Sequence, residues 1–459
     1  MKKIISLAIA LAMFSFTLAA QTPKYIFFFI GDGMGVNEVF GTQYYNRVNG
    51  LPDVNFASFP VKGMLTSYSA SSLVTDSSAA GTALSSGVKI NNGWIGMDPE
   101  GNVTVPITEI AKRNGFGTAV VTSVGVNHAT PGAFYGHDKS RNSYSALSQQ
   151  LIETNTIDFA AGATFLTHFG EALKAKDWIA KAKEAGINVF VGQDEYKAVK
   201  GDRVIYLAKG LPDSVPYAID RKPGDTQLSD FTGAAIDYLY ANFAKKGFVM
   251  MVEGGKIDYA CHATDAATTV HEVNDMAKSV ALALEFYAKH PNETLILVTA
   301  DHETGGLDLG HGAYELHPEN LQYQACSKDV LNFKLMKLAM DNAGEPSWAQ
   351  VKALLKENLG LWDKVAVTKE WEKKLTTLYK EAFLDRDAED ERNLYSSNSK
   401  LTAAAIQCVD ELAHFTYPFG SHSASPVPLF VKGARAEAFQ AAADNTDLCG
   451  IIKKVAKMK

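Results

Sequence analysis

Hydrophobic residues in this chain gather in short unbroken runs with little alternation, the pattern of strands covered on both faces. Tyr25 to Ile30, Phe248 to Val252 and Leu295 to Val298 are the clearest, and each ends on the same kind of residue. The first runs into Gly31-Asp32-Gly33-Met34-Gly35, the second into Glu253-Gly254-Gly255, and the third into Asp301-His302. Glycines at two of these ends let the backbone turn sharply. If the segment after Gly255 is helical, Asp258 and His262 stand at i and i+4 and project from one face. Further on, Val351, Leu354 and Leu355 have helical spacing and predict a helix from Trp348 to Asn358, stopped by Gly360. Trp371, Leu375, Leu378 and Phe383 predict a second helix. A last apolar run, Pro426 to Val431, follows Gly420-Ser421-His422. Buried strands mixed with helices make an α/β fold, and in open α/β sheets sites lie beyond the carboxyl ends of the strands. The three polar endings are therefore expected to meet in one crevice.

Carboxylates and imidazoles at those endings suit zinc. Taken singly, each has an ordinary explanation. Asp258 and His262 could be a solvated helix pair, and Asp301-His302 a strand cap with a satisfied histidine. Three such endings in one chain shift the balance towards a metal site. A nucleophile candidate lies in Val74-Thr75-Asp76-Ser77-Ser78-Ala79-Ala80-Gly81, where small residues follow an Asp-Ser pair. Ser77 would open a helix, whose free N–H groups and positive end favour a phosphate beside an attacking hydroxyl. The same letters make an ordinary N-cap. With no base triad nearby, a catalytic serine here needs a metal to lower its pKa. The residues alone leave Ser77 and Ser78 equally open.

Thr75 to Lys89 resembles the nucleophile signature of alkaline phosphatases, and the three strand-end segments match that family's metal-binding blocks in order. Asn127-His128-Ala129-Thr130-Pro131-Gly132-Ala133-Phe134, with Ser140-Arg141-Asn142-Ser143-Tyr144, and the late Gly420-Ser421-His422 fit two further blocks. The resemblance implies a large, mostly parallel central sheet with helices on both faces and a helical insertion. It implies that Asp258, His262 and His422 hold one zinc, while Asp32, Asp301 and His302 hold a second, which Ser77 joins as nucleophile directly after Asp76. Asp32, Thr130 and Glu253 would hold a third ion, an oxygen-rich site of the kind magnesium prefers. Arg141, which alone would be read as a solvated arginine, would clamp phosphate with Asp76 orienting it. The implied reaction is hydrolysis of phosphate monoesters by in-line displacement through a phosphoserine, with zinc lowering the pKa of the water that hydrolyses it. This chain departs from some relatives, which carry Asp and Lys around the phosphate, by having His128 and Tyr259 there. His128 is expected further out, reaching phosphate or ion through water, and Ser423-Ala424 stands where Thr-Gly is more typical.

At 459 residues, 46% hydrophobic and 21% charged, the composition is that of a globular enzyme. A net charge of −7 and the lack of a basic run argue against a nucleic-acid partner. Met1-Lys2-Lys3, the apolar stretch Ile4 to Phe14 and Leu18-Ala19-Ala20 read as a signal peptide over 1–20, cut before Gln21, with an uncleaved anchor as the alternative. The expected product is exported, periplasmic or secreted from a bacterium, with no membrane span in the mature chain. Residues 21–459 read as one catalytic domain, with a helical insertion around 310–400 that rims the active site or a dimer interface. The charge run Asp385 to Arg392 reads as a solvated face or loop. The family's habit makes a homodimer the expected assembly. Cys261, Cys326, Cys408 and Cys449 allow three complete pairings in an oxidising compartment, and Cys261, though next to His262, reads as packing.

Two other functions compete. A phosphodiesterase or sulfatase would use similar strand-end metals, but a sulfatase needs X-Pro-X-Arg after its nucleophile, where this chain has Ser78-Ala79-Ala80-Gly81. A diesterase typically has Thr at the nucleophile and lacks the Glu253 equivalent. A non-catalytic metal- or phosphate-binding surface protein would have no need to retain nucleophile, arginine and both zinc sets together.

Overall fold

The computed structural model describes residues 22–168, 171–192, 200–310, 312, 314–384 and 391–459, with 391–398 as backbone only. The leader expected at 1–20 and the side chains of the charged run Asp385 to Arg392 lie outside the described residues.

All seven residues of β1 (Tyr25–Gly31), β7 (Phe248–Gly254) and β8 (Thr294–Ala300) are buried, because successive side chains point to opposite faces and both faces are apolar. Fully buried Phe27, Phe28 and Phe29 each stabilise the sheet by roughly 1.5–3 kcal/mol. The remaining strands of the main sheet are β2 (Val61–Leu65), β3 (Gly117–Thr122), β4 (Phe159–Gly162), β5 (Asn188–Val191), β6 (Val204–Leu207) and β13 (Val427–Gly433). Their order is β2-β13-β8-β1-β7-β3-β4-β6-β5. β13 runs antiparallel to both its neighbours, and the other pairings are parallel. Four short strands, β9 (Glu303–Thr304), β10 (Asp308–Leu309), β11 (Phe415–Thr416) and β12 (His422–Ser423), form the ladders β9–β12 and β10–β11.

Four helices position the site or extend the core beside it: α1 (Ser77–Ser86), α2 (Ala129–Gly132), α3 (Lys256–His262) and the long α4 (Ala266–Lys289). Four more, α5 (Lys328–Asp341), α6 (Trp348–Leu359), α7 (Lys369–Phe383) and α8 (Glu391–Ala413), build a second hydrophobic cluster. The periodicity located α6 and α7. Ser347 and Gln350 close a capping box at the start of α6, and Gly360 ends it in the left-handed region. The helices run from 328 to 413, later than the stretch expected around 310–400. Their apolar faces join Ala266, Val270 and Leu307, so the unit packs on the start of α4 and on the segment after β9. It is entered through β10 and left through β11, which pair Asp308 with Thr416 and Leu309 with Phe415. The four cysteines are free and buried, so none of the three possible pairings forms. Cys261 Sγ lies 3.7 Å from the hydroxyls of Thr269 and Tyr417, a packing position. Among the described residues no helix is long and apolar enough to cross a membrane.

Candidate metal centre

Parallel register brings the strand ends together. Gly31 of β1 pairs with Gly254 of β7 and Ala300 of β8, and Ile30 pairs with Glu253. Asp32 and Asp301, one step past Gly31 and Ala300, therefore leave the sheet at one level, beside Glu253. Gly33 turns the chain there with φ +71°, and its N–H donates to Asp301 Oδ1 at 3.1 Å. A Cβ on Gly33 would lie 2.9 Å from Asp258 Cα, Asp258 Oδ1 and Thr304 Oγ1. Gly33→Ala is thus expected to add left-handed strain of about 1–2 kcal/mol and displace Asp258. Retained metal stoichiometry and unchanged turnover in that variant would contradict this close packing.

Gly255 caps α3, and the helix presents Asp258 and His262 one turn apart as the spacing predicts. His262 Nε2 lies 3.3 Å from Asp258 Oδ2 and 3.2 Å from His422 Nε2, which is 3.7 Å from Asp258 Oδ1. Ligands about 2.1 Å from a tetrahedral ion sit about 3.4 Å apart, close to these distances, although the two to Asp258 end on different oxygens, and one atom each of Asp258, His302 and His422 also lie within 4.8 Å of one another. His262 Nδ1 faces Gly420 O at 2.8 Å and His422 Nδ1 faces Thr75 O at 2.9 Å. Carbonyls only accept, so both rings carry their proton on Nδ1 and turn Nε2 towards the triangle. Without an ion, the hydrogen bond to Asp258 raises His262 to about 9. Burial works against the charge on Asp258, yet the hydrogen bond from His262 and the imidazoles of His302, His262 and His422 hold it below the usual carboxylate range.

Asp32, Asp301 and His302 form a second, fully buried set. His302 Nε2 is 3.4 Å from Asp32 Oδ1, 3.4 Å from Asp301 Oδ2 and 3.1 Å from Ser77 Oγ. Ser77 opens α1, capped by Asp76 Oδ1 accepting from Ala79 N at 3.0 Å. Ser78 instead donates to Asp76 Oδ2 at 2.8 Å, so only the first serine reaches the imidazole of this set. Burial, then the charge of Asp258, pushes Asp301 up to about 8. Burial and Asp301 raise Asp32 well above the carboxylate range, and burial and His422 hold His302 well below the histidine range.

Asp32, His128 and Glu253 make a third buried set. Glu253 Oε2 accepts from Thr122 Oγ1, while Glu253 Oε1, both oxygens of Asp32, Asp301 Oδ2, Thr130 Oγ1 and His128 Nδ1 find no hydrogen-bond partner. Thr130 sits on α2. So many unsatisfied buried atoms in one place would be costly, and a cation satisfies them together. His128 Nδ1 lies 3.8 Å from Glu253 Oε1, beside the oxygens of this set. The donors fit metal throughout: imidazole with carboxylate in two sets, mainly oxygen in the third.

Arg141, read alone as a surface residue, has a side chain only 24% exposed. Its Nη1 donates to Asp76 Oδ2 at 3.1 Å, which also accepts from Gly93 N. Burial opposes its charge, but Asp76 beside it outweighs that and raises its pKa. Three further contributors escaped sequence reading. Thr304 Oγ1 donates to Asp258 Oδ1 at 2.6 Å and lies 3.2 Å from His302 Nδ1, tying the two zinc-like sets together. Glu303 accepts from Ser423 Oγ and Gly306 N, joining the segment after His302 to that after His422. Lys256 places Nζ 3.5 Å over the Tyr217 ring and 5.2 Å from that of Tyr259, and donates to Ser214. Tyr259 itself packs edge-on against His128, with ring centres 6.3 Å apart. Position in the Asp301-His302-Glu303-Thr304 block was the one available signal for Thr304 and Glu303.

Comparison with known proteins bears on the chain as a whole. The family model described as alkaline phosphatase matches residues 23–458. Alkaline phosphatase 4 of Bacillus subtilis is 31% identical over 391 residues, 84% of this chain and 77% of that protein. Alkaline phosphatase 3 of the same organism is 30% identical over 437 residues, 93% of this chain and 87% of that one. In structure the chain is similar to the cold-active alkaline phosphatase of a psychrophilic Shewanella sp., with a TM-score of 0.75, 26% identity and coverage of 94% of this chain and 99% of that one.

Proposed function

The chain belongs to the alkaline phosphatase family and is a metal-dependent phosphatase acting on phosphate monoesters, and from that premise we propose that it works through a phosphoserine on Ser77. The observation that carries this is Ser77 Oγ at a helix start, 3.1 Å from His302 Nε2 and beside the unsatisfied carboxylates of Asp32 and Asp301. Asp258, His262 and His422 would hold one Zn2+, and Asp32, Asp301 and His302 a second. Asp32, Thr130 and Glu253 would hold Mg2+, with His128 facing it. When bound, these ions supply positive charge to the phosphoryl oxygens and to the oxygens that enter and leave phosphorus.

Ser77 Oγ attacks phosphorus in line, the Ser–O–P bond forms, and the ester P–O bond breaks to release the alcohol. Water then cleaves the Ser–O–P bond, giving inorganic phosphate and the free serine. The N-terminal amides of α1 favour the anion. Asp76 holds Arg141 by one nitrogen, leaving the rest of the guanidinium fork for two phosphate oxygens. Arg141→Lys keeps the charge but loses the fork, so KM should rise about tenfold, or about 1.4 kcal/mol, with kcat less affected. An unchanged KM would remove Arg141 from phosphate binding.

The reading as a monoesterase is tested by comparing p-nitrophenyl phosphate, bis-p-nitrophenyl phosphate and p-nitrophenyl sulfate. The monoester is expected to be the best substrate by orders of magnitude, and a preference for either of the others overturns the reading. The same reading makes residues 21–459 one catalytic domain in which the helices between 328 and 413 rim the active site or a dimer interface, and makes the mature enzyme an exported homodimer. Intact mass of the protein recovered outside the cytoplasm, with light scattering, tests leader removal and assembly.

A further inference from the structure

Away from the strand ends, Glu315, His317 and His414 each offer one ligand atom, all within 4.8 Å of one another. Glu315 and His317 follow β10, on the way into the four-helix unit, whereas His414 lies between α8 and β11, on the way out. Main-chain bonds hold the two crossings together. His317 N donates to Ala413 O at 3.0 Å and Gly310 N to His414 O at 2.8 Å, beside the β10–β11 ladder. The two imidazoles lie 5.6 Å apart between ring centres.

The carboxylates are arranged as around a metal-binding histidine. Glu319 Oε1 is 3.1 Å from His317 Nδ1, while Glu315 Oε2 is 3.4 Å from Nε2. Both carboxylates accept from the ring here; an ion takes the place of the proton on Nε2, beside Glu315, while Glu319 keeps the one on Nδ1. We propose that His317, His414 and Glu315 bind a Zn2+-class transition-metal ion, separate from the catalytic centre, with Glu319 as the positioning residue. Two imidazoles and a carboxylate select Zn2+ and its borderline neighbours over Mg2+ or Ca2+. The ion clips the chain where it enters and leaves the helical unit. Closing so long a loop restricts the opened state of that unit and stabilises its attachment.

The test uses enzyme whose catalytic metals are already loaded, dialysed to equilibrium against Zn2+ and analysed for metal. Wild type should hold one Zn2+ more than a His317→Ala/His414→Asn double variant, asparagine being chosen because His414 has φ 59°. Phosphatase activity should be equal in the two, since neither residue touches the catalytic centre. Glu319→Gln should keep the stoichiometry but weaken this Zn2+ by about tenfold or more. Equal uptake by wild type and double variant overturns the proposal. Should the double variant fail to fold, diffraction from Zn2+-soaked wild-type crystals at the zinc edge decides: an anomalous peak between His317 and His414 supports the site, and its absence overturns it.

Discussion

With Ser77 replaced by alanine, turnover of p-nitrophenyl phosphate falls by on the order of 10³-fold or more, about 4 kcal/mol of barrier. The control is its neighbour. Ser78→Ala loses one hydrogen bond to Asp76, which still accepts from Ala79 N, Gly93 N and Arg141, so the expected cost is about 1 kcal/mol and a rate within about tenfold of wild type. Acid quenching with labelled substrate should leave phosphate on the wild-type chain and none on Ser77→Ala. More than a tenth of wild-type activity in Ser77→Ala, or label on Ser78, would show that the nucleophile has been misassigned.

Stripping the metals with a chelator should abolish turnover and lower the melting temperature by on the order of 10 °C, since each ion at a large excess over its Kd contributes about 4 kcal/mol. The gap has a pH dependence. In metal-free protein Asp301 titrates at about 8, raised by burial and the charge of Asp258, against about 3.9 when unfolded. A carboxyl raised on folding contributes stability that is complete below its unfolded pKa and is lost as pH rises through the folded value. Asp32, raised in the same direction, adds to the loss. Metal-loaded protein holds these groups ionised and escapes it. The stabilities of loaded and stripped enzyme should therefore diverge from about pH 4 towards pH 8, by on the order of 2 kcal/mol over the last two units, with the melting temperatures following. A gap that narrows with rising pH, or full activity in protein shown by elemental analysis to be metal-free, would overturn the assignment of these carboxylates as ligands.

Much of this centre was legible beforehand because it lies at the ends of strands. Unbroken apolar runs announce β1, β7 and β8, and a carboxylate at the end of such a run has few places to go but the sheet's carboxyl edge. The i, i+4 spacing of Asp258 and His262 needed only a helix, and Gly254-Gly255 supplied its start. The contacts of Thr304 were not legible, because they depend on β9 crossing beside α3. Nor was the nearness of His128, set by where α2 begins against Glu253. The cysteines were open to three pairings on paper, but each is buried in its own packing and forms no disulfide.

From its letters alone, this chain determined β1, β7, β8 and β13, the residues that end the first three and the small-residue helix start that offers Ser77, because these follow from local hydrophobic pattern and backbone freedom. Tertiary structure decided which of those ends meet. Parallel register set Asp32, Glu253 and Asp301 side by side. The β9–β12 ladder brought His422 beside His302, with ring centres 3.6 Å apart. Carbonyls of Thr75 and Gly420, remote in sequence from the rings they accept from, chose the tautomers that leave two lone pairs facing one point. Such choices rest on long-range hydrogen bonds, whose partners no local pattern names.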